Sequence, residues 1–99
     1  MQYISTRGSA PTLDFEGATL AGLASDGGLY LSAHWPRFTE DEIGRMRGLP
    51  YHELAARVMA HFVEGSLTRE ELGARCKTEY GDFGHREMTQ LEQLDETRW

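Results

Sequence analysis

One lysine, Lys77, stands in a sequence of 99 residues that holds nine arginines and 16 acidic side chains. That shortage leaves a single candidate for any chemistry that needs a lysine amine. Cysteine is as scarce. Cys76 alone cannot close an internal disulfide, and nothing argues for an oxidising compartment. No apolar run approaches the roughly 18 residues of a membrane span. Met1–Ser5 shows no basic segment ahead of an apolar stretch, so no secretory signal is expected. The expected compartment is the cytoplasm.

The formal charge is −6, with acidic residues spread along the chain. A nucleic-acid partner would need clustered Lys and Arg against phosphates, and no such cluster is visible in the sequence. Scattered arginines read as charge balance on a surface. The length fits one domain with a modest core, removing roughly 60–70% of the unfolded surface from water.

The pattern predicts a small single α+β domain, two short N-terminal strands packed with three to four helices. Tyr3, Ile4 and Thr6 favour an extended run over 2–7, which Gly8 and Pro11 end. Asp14 is placed to cap a short helix over 14–24, with Gly27 in the left-handed closing position. Leu29–Leu31 reads as the second strand. Thr39-Glu40-Asp41-Glu42 and Thr68-Arg69-Glu70-Glu71 are capping boxes, each opening a helix. Between them, Pro50 suits a helix start. Tyr51, Leu54, Ala55, Val58, Met59 and Phe62 form one apolar stripe that Gly65 closes, with Phe62 expected in the core. Leu72, Cys76, Tyr80 and Phe83 continue at helical spacing, and Gly81 and Gly84 mark the exit. Beyond Glu87, Met88, Leu91 and Leu94 alternate weakly, as an extended strand or a linker. The expected boundaries are a domain over 1–87 and a tail over 88–99.

Candidate chemistry is thin. His52 and His61 sit nine residues apart on one predicted helix and point to opposite sides, so they cannot share a metal through it. His34 and His85 fall in turns without a Cys or carboxylate at ligand spacing. Cys76 lies on an apolar stripe and reads as a core residue. Lys77 reads as part of a solvated helix face, with no glycine-rich phosphate cradle beside it. Ser5-Thr6-Arg7-Gly8 offers two hydroxyls, a guanidinium and a glycine. It reads either as an anion-contact set or as a polar strand end with a turn. Asp26-Gly27-Gly28 lacks dinucleotide-binding spacing and reads as a tight turn into a strand.

Five segments carry a family resemblance. They are Y-x-S-T-R-G at Tyr3–Gly8, G-L-x-x-D-G-G-L-Y at Gly22–Tyr30, W-P at Trp35-Pro36, L-P-Y-x-E-L-A at Leu49–Ala55 and Y-x-x-F at Tyr80–Phe83. In order and spacing this set resembles the threonine synthase family. The resemblance implies an N-terminal domain that precedes a core binding pyridoxal phosphate (PLP). It places the chain's end just before the family segment E-L-F-H-G-P-T-x-A-F-K-D, whose lysine holds PLP. The family also commonly has prolines near Arg86 and Gln90, and this sequence has none there.

The intact family enzyme converts O-phospho-L-homoserine and water to L-threonine and phosphate. The resemblance assigns no catalytic, cofactor-binding or metal-ligating residue to this chain, which alone is expected to be inactive. Its implied partner is the PLP-binding catalytic core, in cis or in trans, with no nucleic acid and no membrane. The implied docking surface is apolar, drawn from Tyr3–Arg7, Leu29–Leu31 and Met88–Trp99. Alternatives are a stand-alone protein-interaction module that reuses the domain, or an unrelated small acidic helical adaptor.

The isolated chain is expected not to hold PLP covalently. Absorbance after mixing with PLP and dialysis checks this; a stoichiometric band lost in Lys77→Ala would overturn it.

Overall fold

The computed structural model describes residues 1–81 and 93–98. Phe83, Gly84, His85, Arg86, Met88, Gln90, Leu91 and Trp99 lie outside the described residues, and so does half of the expected tail. The described part is an α+β arrangement in the order β1 (Tyr3–Ser5), α1 (Phe15–Ala21), β2 (Tyr30–Ser32), α2 (Glu40–Met46), α3 (Tyr51–Ala60) and α4 (Arg69–Gly81).

β1 and β2 pair antiparallel in the register Tyr3↔Ser32, Ile4↔Leu31 and Ser5↔Tyr30. So short a ribbon is marginal in water, and its edges are supplemented. Leu13 exchanges backbone hydrogen bonds with Tyr3 at 2.7 and 3.0 Å, and Leu23 bridges to Leu29. The edges of the ribbon are therefore partly paired. The ribbon is also tied to the helices. The Tyr3 hydroxyl donates to the Phe62 carbonyl at 2.6 Å, and its ring meets Phe15 at 6.3 Å.

Local capping explains the helix starts. Asp14 accepts from the Gly17 N–H at 2.8 Å. Both capping boxes form: Thr39 and Glu42 satisfy each other's backbone N–H groups, and Thr68 and Glu71 do the same. α1 ends earlier than expected, at Ala21: Gly22 takes a positive φ (+67°) and donates its N–H to the Ala18 carbonyl, while Gly27, also at positive φ (+81°), shapes the turn that follows.

The core sits where α3 and α4 pack. Val63, Leu72 and Cys76 are buried there, with Phe15, Ala55, Ala56, Ala60, Leu67 and Tyr80 around them. Leu72 and Cys76 occupy the positions that helical spacing gave them. Phe62 does not. α3 stops at Ala60, so the eleventh residue after Tyr51 leaves the helical stripe. Val63 takes the interior place, while Phe62 is half-buried with its ring edge-on to Trp35 at 6.0 Å. Small alanines form the α3 face toward the core. Tyr51, Val58 and Met59 from the same stripe remain exposed.

Leu72→Ala is expected to cost about 2–5 kcal/mol, as for a buried leucine truncated in a packed core. Phe62→Ala should cost less, although phenylalanine is the larger side chain. Urea unfolding of both variants checks the order, and a greater loss for Phe62→Ala would contradict this core.

Candidate functional site

The two most distinctive polar motifs close on each other. Ser5 ends β1, and Asp26 stands in the turn between α1 and β2. The Ser5 hydroxyl donates to the Asp26 carboxylate, with its Oγ 2.7 and 2.9 Å from the two oxygens. The same carboxylate accepts backbone N–H groups from Ser9 at 2.9 Å, Ala10 at 3.0 Å and Gly28 at 2.9 Å. Arg7 donates through Nη1 to the Asp26 carbonyl at 3.0 Å. Thr6 Oγ1 accepts from the Leu29 N–H at 3.0 Å. Of the two sequence readings of Ser5-Thr6-Arg7-Gly8, the structure matches the polar strand end with a turn: the Gly8 N–H donates to the Ser5 carbonyl at 3.0 Å, and of the motif's side chains only Ser5 touches the Asp26 carboxylate.

Both glycines of the turn follow from this crowding. A Cβ on Gly28 would overlap the Ser5 hydroxyl and approach Thr6 Oγ1 to 2.9 Å. Gly27 has φ +81°, and a Cβ there would come within 2.9 Å of the Arg7 guanidinium. The Ser5 hydroxyl, followed by the Gly28 N–H, holds the Asp26 carboxyl down at about 2, against an ordinary 3.8. Partial desolvation opposes them, and the Ser9 and Ala10 N–H groups add to the lowering.

The clamp fixes the ribbon with one face outward. Side chains alternate across a strand, so Tyr3 turns in while Ile4, Leu29 and Leu31 turn out. Ile4 opposes Leu31, and Leu23 opposes Leu29. Their exposures are 45% for Ile4, 65% for Leu23, 57% for Leu29 and 49% for Leu31. Single exposed leucines are ordinary. Four on one side of a clamped ribbon form a patch of the kind that marks interaction surfaces.

A sequence profile of the family described as "Threonine synthase N terminus" matches residues 2–80. The chain belongs to the threonine synthase N-terminal family. It is similar over its whole length to threonine synthase from Pseudomonas aeruginosa, with 52% identity across 99 residues that make up 21% of that protein. Its fold matches a solved threonine synthase from Brucella melitensis, described as PLP bound, with a TM-score of 0.88 and 43% identity. That match covers 97% of this chain and 21% of the solved one. The Escherichia coli threonine synthase structure shares the fold, with a TM-score of 0.76 over 82% of this chain and 19% of its own. The chain thus spans about a fifth of the length of the relatives it matches.

For a threonine synthase domain, the remaining candidates are sparsely placed. Lys77 stands exposed on the outer side of α4, one residue beyond buried Cys76. That position matches the solvated helix face read from the sequence. His52 lies beside Glu53 with Nε2 to Oε1 at 4.0 Å, His61 stacks edge-on to Phe38 at 5.0 Å, and His34 is exposed. Among the described residues, no three His, Cys, Asp or Glu side chains gather as metal ligands. No helix among them is long and apolar enough to cross a membrane.

A carboxyl depressed on folding contributes stability that is present above its unfolded value and lost as pH falls through its folded value. For Asp26 that window runs from 3.8 down to about 2. Asp26→Asn is expected to unfold with a shallower pH dependence in this window than the parent. Urea midpoints of both proteins at matched pH check it, and the comparison removes the common contribution of the other carboxylates. Parallel pH profiles would contradict the clamp.

Proposed function

We propose that this chain serves as the non-catalytic N-terminal domain of a cytoplasmic threonine synthase, packing on that enzyme's PLP-binding core in cis. The observation that carries the reading is the outward apolar face of Ile4, Leu23, Leu29 and Leu31. A small domain that leaves such a face open gains by covering it. Residues 1–87 are the packing unit in this reading, and residues 88–99 lead toward the core. The complete enzyme would convert O-phospho-L-homoserine and water to L-threonine and phosphate. The lysine that holds PLP would belong to the core, and no residue of this chain receives a catalytic, cofactor-binding or metal-ligating role.

Docking separates two stabilities that a purely internal role would keep equal. The double substitution Ile4→Thr, Leu31→Thr puts a β-branched residue that suits a strand at both positions. In the isolated chain it should act as a surface change, within about ±0.5 kcal/mol. In the complete enzyme it should lower the thermal midpoint and loosen the domain, seen as faster amide exchange at residues 3–6 and 29–32. Equal effects in both contexts would remove the docking role and favour a stand-alone interaction module.

A further inference from the structure

Three helices of this acidic chain each turn one arginine into the same cleft. Arg45 comes from α2, Arg57 from α3, and Arg69 begins α4. The cleft measures about 410 Å³. Its wall is completed by His61, the Phe38 ring that His61 meets at 5.0 Å, and Met46. We infer that this cleft binds a small phosphorylated anion.

The charge count favours an anion. Among the described residues Glu42 is the only carboxylate lining the cleft, and Thr39 already engages it through the backbone N–H at 2.8 Å and the hydroxyl at 2.9 Å. Those two bonds, from the N–H and then the hydroxyl, hold its carboxyl below the usual range, so it stays ionised at neutral pH. Three guanidinium groups against one carboxylate leave a surplus of two positive charges, in a chain whose net charge is −6. Among the described residues, neither Arg57 nor Arg69 makes an ion pair. Arg45 gives only its Nε, to the Asp41 carbonyl of its own helix at 3.2 Å. All three arginines are exposed, and among the described residues their other guanidinium donors have no acceptor from the protein.

The chemistry narrows the class. Arginine's planar fork matches phosphate oxygens in pairs, and a phosphate near pH 7 carries close to the two charges needed. The volume suits a small molecule, at the lower end of the roughly 300–1,000 Å³ range of ligand sites. A polynucleotide would need a long basic track, which this chain lacks. The Phe38–His61 pair and Met46 give the ligand an apolar wall, and the imidazole adds one donor or acceptor. The cleft lies among the helices, apart from the ribbon face, so the inference does not depend on docking to a catalytic core.

The test is a titration of the 99-residue chain, followed by amide and arginine Nε–H resonances at fixed ionic strength. The probes are inorganic phosphate, glycerol 3-phosphate and a glutamate-rich peptide. Saturable shifts at Arg45, Arg57, Arg69 and His61 with either phosphate are expected. Tighter binding of glycerol 3-phosphate assigns the site to monoesters, and tighter binding of inorganic phosphate assigns it to the free ion. Arg57→Gln and Arg69→Gln should each weaken binding about tenfold, as expected for loss of a charge-assisted contact. Dispersed spectra will confirm that both variants fold. Glu42→Gln keeps an oxygen for Thr39 while removing the negative charge, so it should tighten binding several-fold. Shifts that rise linearly with phosphate and persist in Arg57→Gln would overturn the inference. So would unchanged or weaker binding in Glu42→Gln. Saturation by the peptide alone would overturn it in favour of a protein-docking contact.

Discussion

The Asp26 carboxylate is the constraint on which the N-terminal half depends. It gathers hydrogen bonds from the end of β1, from the loop at Ser9 and Ala10, and from the turn at Gly28. Two stretches that are remote in sequence, residues 5–10 and 26–28, are thereby joined at one acceptor. Several N–H donors and a hydroxyl on one carboxylate keep it ionised far into acid. The clamp can therefore use a full charge where a neutral acceptor would bind its donors more weakly. The ribbon it fixes is too short to hold its own register. With Ser5 and Asp26 joined, Ile4 must oppose Leu31, and a slip of one residue would turn every outer leucine inward.

That register links the clamp to the apolar face. Tyr3 and Ile4 are neighbours with opposite duties. Tyr3 reaches inward to the carbonyl that Phe62 leaves free beyond the end of α3, while Ile4 turns outward. The clamp carries the polar work of this region, so the outer face is left almost wholly apolar. Of the S-T-R-G motif, Ser5 is buried, while Thr6 and Arg7 hold the turn from exposed positions.

Much of the helical half was legible in the sequence, because its determinants are local. A capping box needs four residues, and both boxes form where the pattern placed them. Leu72 and Cys76 lie one helical turn apart and share a buried side for that reason alone. The misplaced element, Phe62, failed at a helix end, where the stripe was extended past Ala60 toward Gly65. The clamp was visible only as two unrelated motifs. Ser5 and Asp26 are 21 residues apart, and no local rule joins a serine to a distant aspartate. The arginine cleft was read as scattered charge balance. Arg45, Arg57 and Arg69 stand on three separate helices, and only the packing of those helices brings them together. The signal available earlier was compositional: nine arginines against one lysine favour fixed anion contacts over a diffuse basic surface.

The distribution of burial bears on why such a domain would be kept attached to a larger one. Among the described residues, the buried apolar side chains are Ala24, Val63, Leu72 and Cys76, none of them aromatic. The larger groups, including Trp35, Leu20 and the ribbon leucines, are exposed. Small domains remove a lower fraction of their surface from water than large ones, and their stability is correspondingly slight. A surface that binds only in the folded state adds its binding free energy to folding. When the partner is linked in the same chain, its effective concentration is high and does not depend on dilution. A thin interior and an open apolar face are therefore two parts of one arrangement. In the proposed enzyme the interior would set the ribbon and helices in place, and the outer leucines would draw the remaining stability from the core they cover.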